Sequence, residues 1–176
     1  MKGMLVRATA VLLLSLTVGY MLEWGKLHVN HYLQVLEAHP EFAAADAAGR
    51  TAWWAEHAPV MRAQYFEVRE AWPPFHRSDV QHMVWAKWTL AVAAVALFFA
   101  LDLLLLRALE AQRLVHLLVA LYVCSGLCMC IGAFLIPPPA GYALAREFLG
   151  FLQSPLPSLF VALVARFRPP QAATQL

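Results

Sequence analysis

Residues 88–106 read WTLAVAAVALFFALDLLLL and residues 114–136 read LVHLLVALYVCSGLCMCIGAFLI, joined by the short stretch RALEAQR at 107–113. A helix rises about 1.5 Å per residue, so roughly 20 apolar residues cover about 30 Å of hydrocarbon. Both runs reach that length, and the short link makes them an antiparallel helical hairpin in a membrane. A similar run covers residues 4–22, provided that Arg7 extends its charge toward the headgroups. A fourth, residues 148–165, is interrupted near its middle by Gln153, Ser154, Pro155 and Pro157, which predicts a bent or partly re-entrant helix. The reading is an all-α, four-span transmembrane helical bundle, one integral membrane domain over residues 1–176. A helical extracytoplasmic segment, residues 23–87, separates spans one and two.

Composition points the same way. Hydrophobic residues make up 61% of the 176 and charged residues 14%, too apolar for a water-soluble core. The net charge of +2 gives no basic surface for nucleic acid, so no nucleic-acid partner is expected.

Basic residues set the expected orientation, because short cytoplasmic segments are enriched in Lys and Arg. With the amino terminus inside, the inner segments hold Lys2, Arg7, Arg107, Arg113, Arg166 and Arg168 against Glu110 alone. The outer segments balance seven basic residues with nine acids, which puts both termini in the cytoplasm. All six tryptophans lie between Trp24 and Trp88, and Trp24, Trp85 and Trp88 fall where two spans meet one interface. Residues 1–18 also have the order of a signal peptide, but no small-x-small cleavage site follows, so a retained anchor is expected.

In the outer segment, Leu27, His31, Val35 and Ala38 recur at helical spacing, which predicts that the first span continues outward until Pro40 ends it. Trp54, Ala58, Met61, Tyr65, Val68 and Trp72 form one face of a helix over residues 51–71. That face is expected to rest on headgroups, pack on the bundle or dock a partner. The corner Trp72-Pro73-Pro74-Phe75 follows, and Ser78-x-x-Gln81 reads as a capping box ahead of span two. His28, His31, His76, Asp79 and His82 raise a metal site, yet six residues put His76 and His82 on different helix faces and no HExxH pair is present. The expectation is therefore no metal and no cofactor, with Asp79 favouring the positive start of the next helix.

Inside the bilayer, Asp102 is the costly residue, at about 2.5–3.5 kcal/mol on insertion scales, and must avoid lipid. Counted from Arg107 and Arg113, Asp102 and His116 lie within about 3 Å of the same depth, which predicts an intramembrane polar pair. Cys124, Cys128 and Gly132 form a small-xxx-small row suited to close helix packing. No Ser-His-Asp, Walker or dinucleotide motif appears, so no catalytic residues are expected.

Tyr142-x-x-x-Arg146, then Phe148, then Gln153-Ser154-Pro155-Leu156 before a final apolar helix, resembles the carboxy-terminal region of small accessory membrane proteins of bacterial exosortase systems. The resemblance covers about the last 30 residues. It implies a non-catalytic partner of a membrane-embedded sorting peptidase, tied to protein sorting and envelope polysaccharide export. The alternatives are a small metal- or redox-handling membrane protein using the outer histidines, or a transporter subunit using Asp102.

Overall fold

A computed structural model describes residues 2–64, 73–137 and 139–167, with the side chains of 58–64, 73–74 and 165–167 left aside. The described residues are helical throughout, without a strand. The helices are α1 (Lys2–Ala38), α2 (Pro40–Ala44), α3 (Ala47–Gln64), α4 (Val80–Ala108), α5 (Val115–Leu135), α6 (Ala140–Leu152) and α7 (Leu156–Phe167), with 3-10 turns at Pro73–Arg77 and Gln112–Leu114.

Three helical stretches are long and apolar enough to cross a membrane: α1, α4, and Gln112–Leu135, which includes α5. Their most apolar windows are only 11%, 33% and 17% buried within the chain. Apolar faces left bare to that extent belong in lipid, and the chain is a membrane protein. The fourth run is bent at its prolines, as expected for 148–165, and its first helix starts earlier, at Ala140. It is a pair, α6 and α7, bent by 73° around Gln153–Pro155, and it counts as a fourth span only if the pair is taken together. Proline supplies the reason, since Pro155 has no amide hydrogen and crowds the preceding turn.

By contacts the chain divides into two compact units, Met1–Gly19 with Ala94–Leu176, and Tyr20–Ala93. In the first, Ala8 packs with Leu105 and Ala108, while Gly19 faces Phe98, so the start of α1 runs antiparallel to the end of α4. Arg7 consequently meets Glu110, at 3.7 Å.

The turn after α4 is a Schellman motif: Glu110 N–H bonds to Arg107 O and Ala111 N–H to Leu106 O. It requires a left-handed residue, and Glu110 adopts φ 58°. A side chain there costs about 1 kcal/mol relative to glycine. The Arg7 pair offsets little, because both side chains are about two-thirds exposed. Glu110→Gly is therefore expected to raise the melting midpoint in detergent, and a lowered midpoint would refute this account of the turn.

α5 is buried at Leu118, Ser125 and Gly132, seven residues apart. A Cβ on Gly132 would lie 3.1 Å from Gly141 O and 3.2 Å from Ala145 N, so α5 and α6 meet backbone to backbone. The expected row of Cys124, Cys128 and Gly132 is thus reduced to Gly132. Cys124 and Cys130 are exposed and Cys128 is half-buried. Cys124 instead edges an apolar groove of about 260 Å³ with Leu117, Leu121, Phe160, Val161 and Val164. A helix apolar all round gives no sign of which side faces its neighbour.

In the Tyr20–Ala93 unit, α1 continues to Ala38, and Pro40 opens α2. Asp46 caps α3, its carboxylate accepting Gly49 N–H at 2.7 Å. Asp79 rather than Ser78 caps α4, accepting His82 N–H at 2.8 Å. The helix expected over 51–71 corresponds to α3 as far as Gln64; residues 65–71 lie outside the described residues, and the part of the apolar face beyond Trp54 lies outside the described side chains.

Candidate functional site

Two clusters of polar groups are candidates, one in each unit. The first is built on Asp102, of which only 1% is exposed. Its Oδ1 accepts the Ser158 hydroxyl at 2.6 Å and its Oδ2 the Tyr122 hydroxyl at 2.9 Å. Phe99 meets the Tyr122 ring edge-on, with centroids 4.9 Å apart. The Tyr122 oxygen also lies 3.2 Å from Leu152 O, and the Ser158 oxygen lies 3.2 Å from Pro155 O. One carboxyl group thus gathers α4, α5, α7 and the break before α7.

The break explains why those partners are needed. In a continuous helix Phe151 O would accept from residue 155, but proline has no N–H, and the Ser154 hydroxyl donates instead at 2.7 Å. Leu152 O would accept Leu156 N–H, which is turned to Ser154 Oγ at 3.3 Å. The Tyr122 hydroxyl is in reach of Leu152 O, at 3.2 Å. Backbone groups freed inside hydrocarbon require such replacements.

The expected Asp102–His116 pair does not form, and His116 is exposed near the start of α5. Asp102 lies six residues before the end of α4, about 9 Å deep. The Schellman turn and the 3-10 turn take up the residues to Leu114, which leaves His116 only about 2 Å into α5 and Tyr122 about 10 Å. No motif or spacing in the sequence marks Tyr122 or Ser158 as partners of Asp102. The available signals were that Tyr122 is the one phenol in its apolar run and that Ser158 follows the two prolines. Among the motif residues of the resemblance, Tyr142 and Arg146 are exposed on α6, while Ser154 and Pro155 form the break.

The second cluster is an aromatic core in the Tyr20–Ala93 unit. Tyr32 of α1, 1% exposed, is ringed by Phe42, Trp54, Phe75 and His76 with centroids 5.5–6.0 Å away. Trp54 also receives His31 edge-on at 5.8 Å, and Trp53 stacks on His57 at 4.0 Å. His28 bonds to Trp24 O at 2.8 Å and lies against the Trp24 ring. Beneath the rings lies Arg50, 8% exposed, whose guanidinium donates to Phe42 O, Ala43 O, His76 O and Ser78 O.

The histidines are accordingly packing residues here. His82 pairs with Asp79 at 2.8 Å on the surface, away from the buried His76. No three His, Cys, Asp or Glu side chains gather around a common point among the described residues.

Burial holds His76 below the usual histidine range, and the charge of Arg50 adds to this. Unfolding therefore leads to proton uptake below about pH 6.5. Stability of this unit is full above that value and falls as the pH drops toward the folded value. All six tryptophans lie in this unit, so their fluorescence reports on it alone. Urea midpoints followed by that signal should fall from about pH 7 to about pH 5, and less steeply in His76→Phe; a midpoint that rose on acidification would contradict the burial of a neutral His76.

Compared with known protein families, curated proteins and solved structures, the chain matches none.

Proposed function

We propose that this chain is a non-catalytic accessory protein of the bacterial inner membrane that binds and organises a larger envelope complex, with an exosortase-type sorting peptidase as its partner. The observation that carries this reading is the apolar surface the three candidate spans leave unburied, with no more than 33% of each most apolar window buried within the chain, beside polar clusters occupied with internal bonding. A protein whose buried polar groups staple its own helices, and whose outer faces stay apolar, is suited to holding partners in lipid.

In this reading α6 and α7 together make the fourth span, both termini face the cytoplasm, and residues 23–87 are the extracytoplasmic docking cap. The Arg7–Glu110 pair supports it by bringing the amino-terminal end of α1 and the α4–α5 turn together, which gathers Arg7, Arg107 and Arg113 on one side. Exposed Trp24, Trp85 and Trp88 suit the opposite headgroup layer.

The test is co-expression with the sorting peptidase, followed by two affinity steps in mild detergent. Retention of the peptidase in stoichiometric amount is expected. A monodisperse single-component particle that turns over a substrate by itself would overturn the accessory role, and terminal tags reporting opposite compartments would overturn the topology. A transporter subunit is the second reading, favoured by the buried acid at a broken helix; loss of ion flux in Asp102→Asn with the complex intact would select it.

A further inference from the structure

We propose that Asp102 is a proton-binding site, and that its bound proton holds the α6–α7 break closed against α4 and α5. The argument is a count of hydrogens. Around the carboxyl group stand two hydroxyls, Tyr122 and Ser158, and two carbonyls within their reach, Leu152 O and Pro155 O. With Asp102 ionised, both hydroxyl hydrogens turn to the carboxylate. Pro155 O still holds Leu159 N–H at 3.2 Å, but Leu152 O has lost its helical donor to Ser154 and then loses Tyr122 as well.

One added proton repairs this. The carboxylate becomes a carboxylic acid, Oδ1 donates to Ser158 Oγ, and the Ser158 hydrogen passes to Pro155 O. The Tyr122 hydrogen is released from the charge and reaches Leu152 O. Proton binding therefore replaces an uncompensated carboxylate with a network that closes the broken helix.

The surroundings provide no competing charge. From α5 the facing group is Tyr122, a neutral phenol; α7 contributes Ser158, and no ionisable residue occurs between Ala8 and Gly19 on α1 or among the described side chains of α7. Arg7, Arg107, Glu110, Arg113, His116, Arg146 and Glu147 are all exposed. The 2.6 Å separation of Ser158 from Oδ1 is a hydrogen-bond distance, without room for a metal cation between the two oxygens.

The experiment uses the full chain in lipid nanodiscs. Infrared difference spectra should contain a protonated carboxylic-acid carbonyl band at neutral pH that is lost in Asp102→Asn. In a background with Cys124→Ala, Cys128→Ala and Cys130→Ala, spin labels at Leu144→Cys and Leu163→Cys should show a distance change as alkaline pH removes the band, and none when Asp102→Asn is added. The asparagine amide donates to Ser158 as the protonated acid does, and its uncharged oxygen leaves the Tyr122 hydrogen to Leu152 O, mimicking the closed form. If Asp102→Asn does not fold, Ser158→Ala replaces it and, by removing the acceptor of the acid proton, should shift the wild-type band. Absence of the band at every pH, an unshifted band in Ser158→Ala, a label distance that follows pH equally in Asp102→Asn, or sodium-dependent melting without an acid band would each overturn the proposal.

Discussion

Gly141→Ala is expected to dismantle the α5–α6 contact and lower stability by about 3 kcal/mol, the upper end for overpacking. The reason is the identity of the atoms in the way. A Cβ at Gly141 would collide with the carbonyl oxygens of Gly132 and Ile136, and backbone atoms cannot rotate aside as a side chain can. α6 would have to move off α5, taking with it the break at Gln153–Pro155 and the Leu152 carbonyl that reaches Tyr122. Gly132→Ala should cost less, since its nearest neighbours stand at 3.1–3.4 Å and need to yield only a few tenths of an ångström. Gly126→Ala provides the opposite sign. Nothing lies within 4 Å of its added methyl, so the change should stabilise the helix by about 0.5–1 kcal/mol. Melting of the three variants in one detergent, followed by circular dichroism, tests the set. If Gly141→Ala melts with the wild type while Gly126→Ala melts lower, the helix faces are assigned wrongly.

Arg50→Ala should destabilise the Tyr20–Ala93 unit by about 3 kcal/mol or more, because it strips donors from several buried carbonyls at once. Nε serves Phe42 O at 3.1 Å and one terminal nitrogen serves Ala43 O at 2.7 Å, both at the carboxy-terminal end of the short α2. The other terminal nitrogen serves Ser78 O at 2.6 Å and His76 O at 3.3 Å. The guanidinium thus does the work of a helix cap for α2 and, with the same group, ties down the chain as it approaches α4. It also lies over the Phe42 ring, 5.9 Å from the centroid. Arg50→Lys should recover little, since one ammonium with three donors cannot span acceptors set for a planar fork. Arg77→Ala, on an exposed side chain, should change stability by no more than about 0.5 kcal/mol. Tryptophan fluorescence during urea unfolding reads all three variants. An Arg50→Lys midpoint equal to the wild type would mean that the four carbonyls do not depend on the fork.

The failed Asp102–His116 pairing and the lost cysteine row share a cause. Both require knowing where a helix is along its axis or around it, to within one residue or about 100° of turn. Asp102 was recognised as a residue that must be buried, but its partner depended on how many residues the turn at 109–114 consumes. That turn contains a left-handed glutamate, which no composition rule anticipates. The shift of the α4 cap from Ser78 to Asp79 is the same one-residue uncertainty on a smaller scale.

Arg50 entered the sequence reading only as one charge among the outer basic residues. Its burial arises because α2 ends beside residues 76–78, which lie 26 to 28 residues beyond Arg50. No local pattern encodes that meeting.

What the residues determined unaided was the helical class, the apolar runs, the stop at Pro40 and the interruption near Pro155. Each follows from a local cost: bare backbone in hydrocarbon, or a missing amide hydrogen. The tertiary structure alone decided that the last run bends by 73°, that Tyr122 and Ser158 answer Asp102, and that Gly132 meets Gly141. Those outcomes depend on the separation of atoms far apart in the chain, which is settled only when the helices pack against one another.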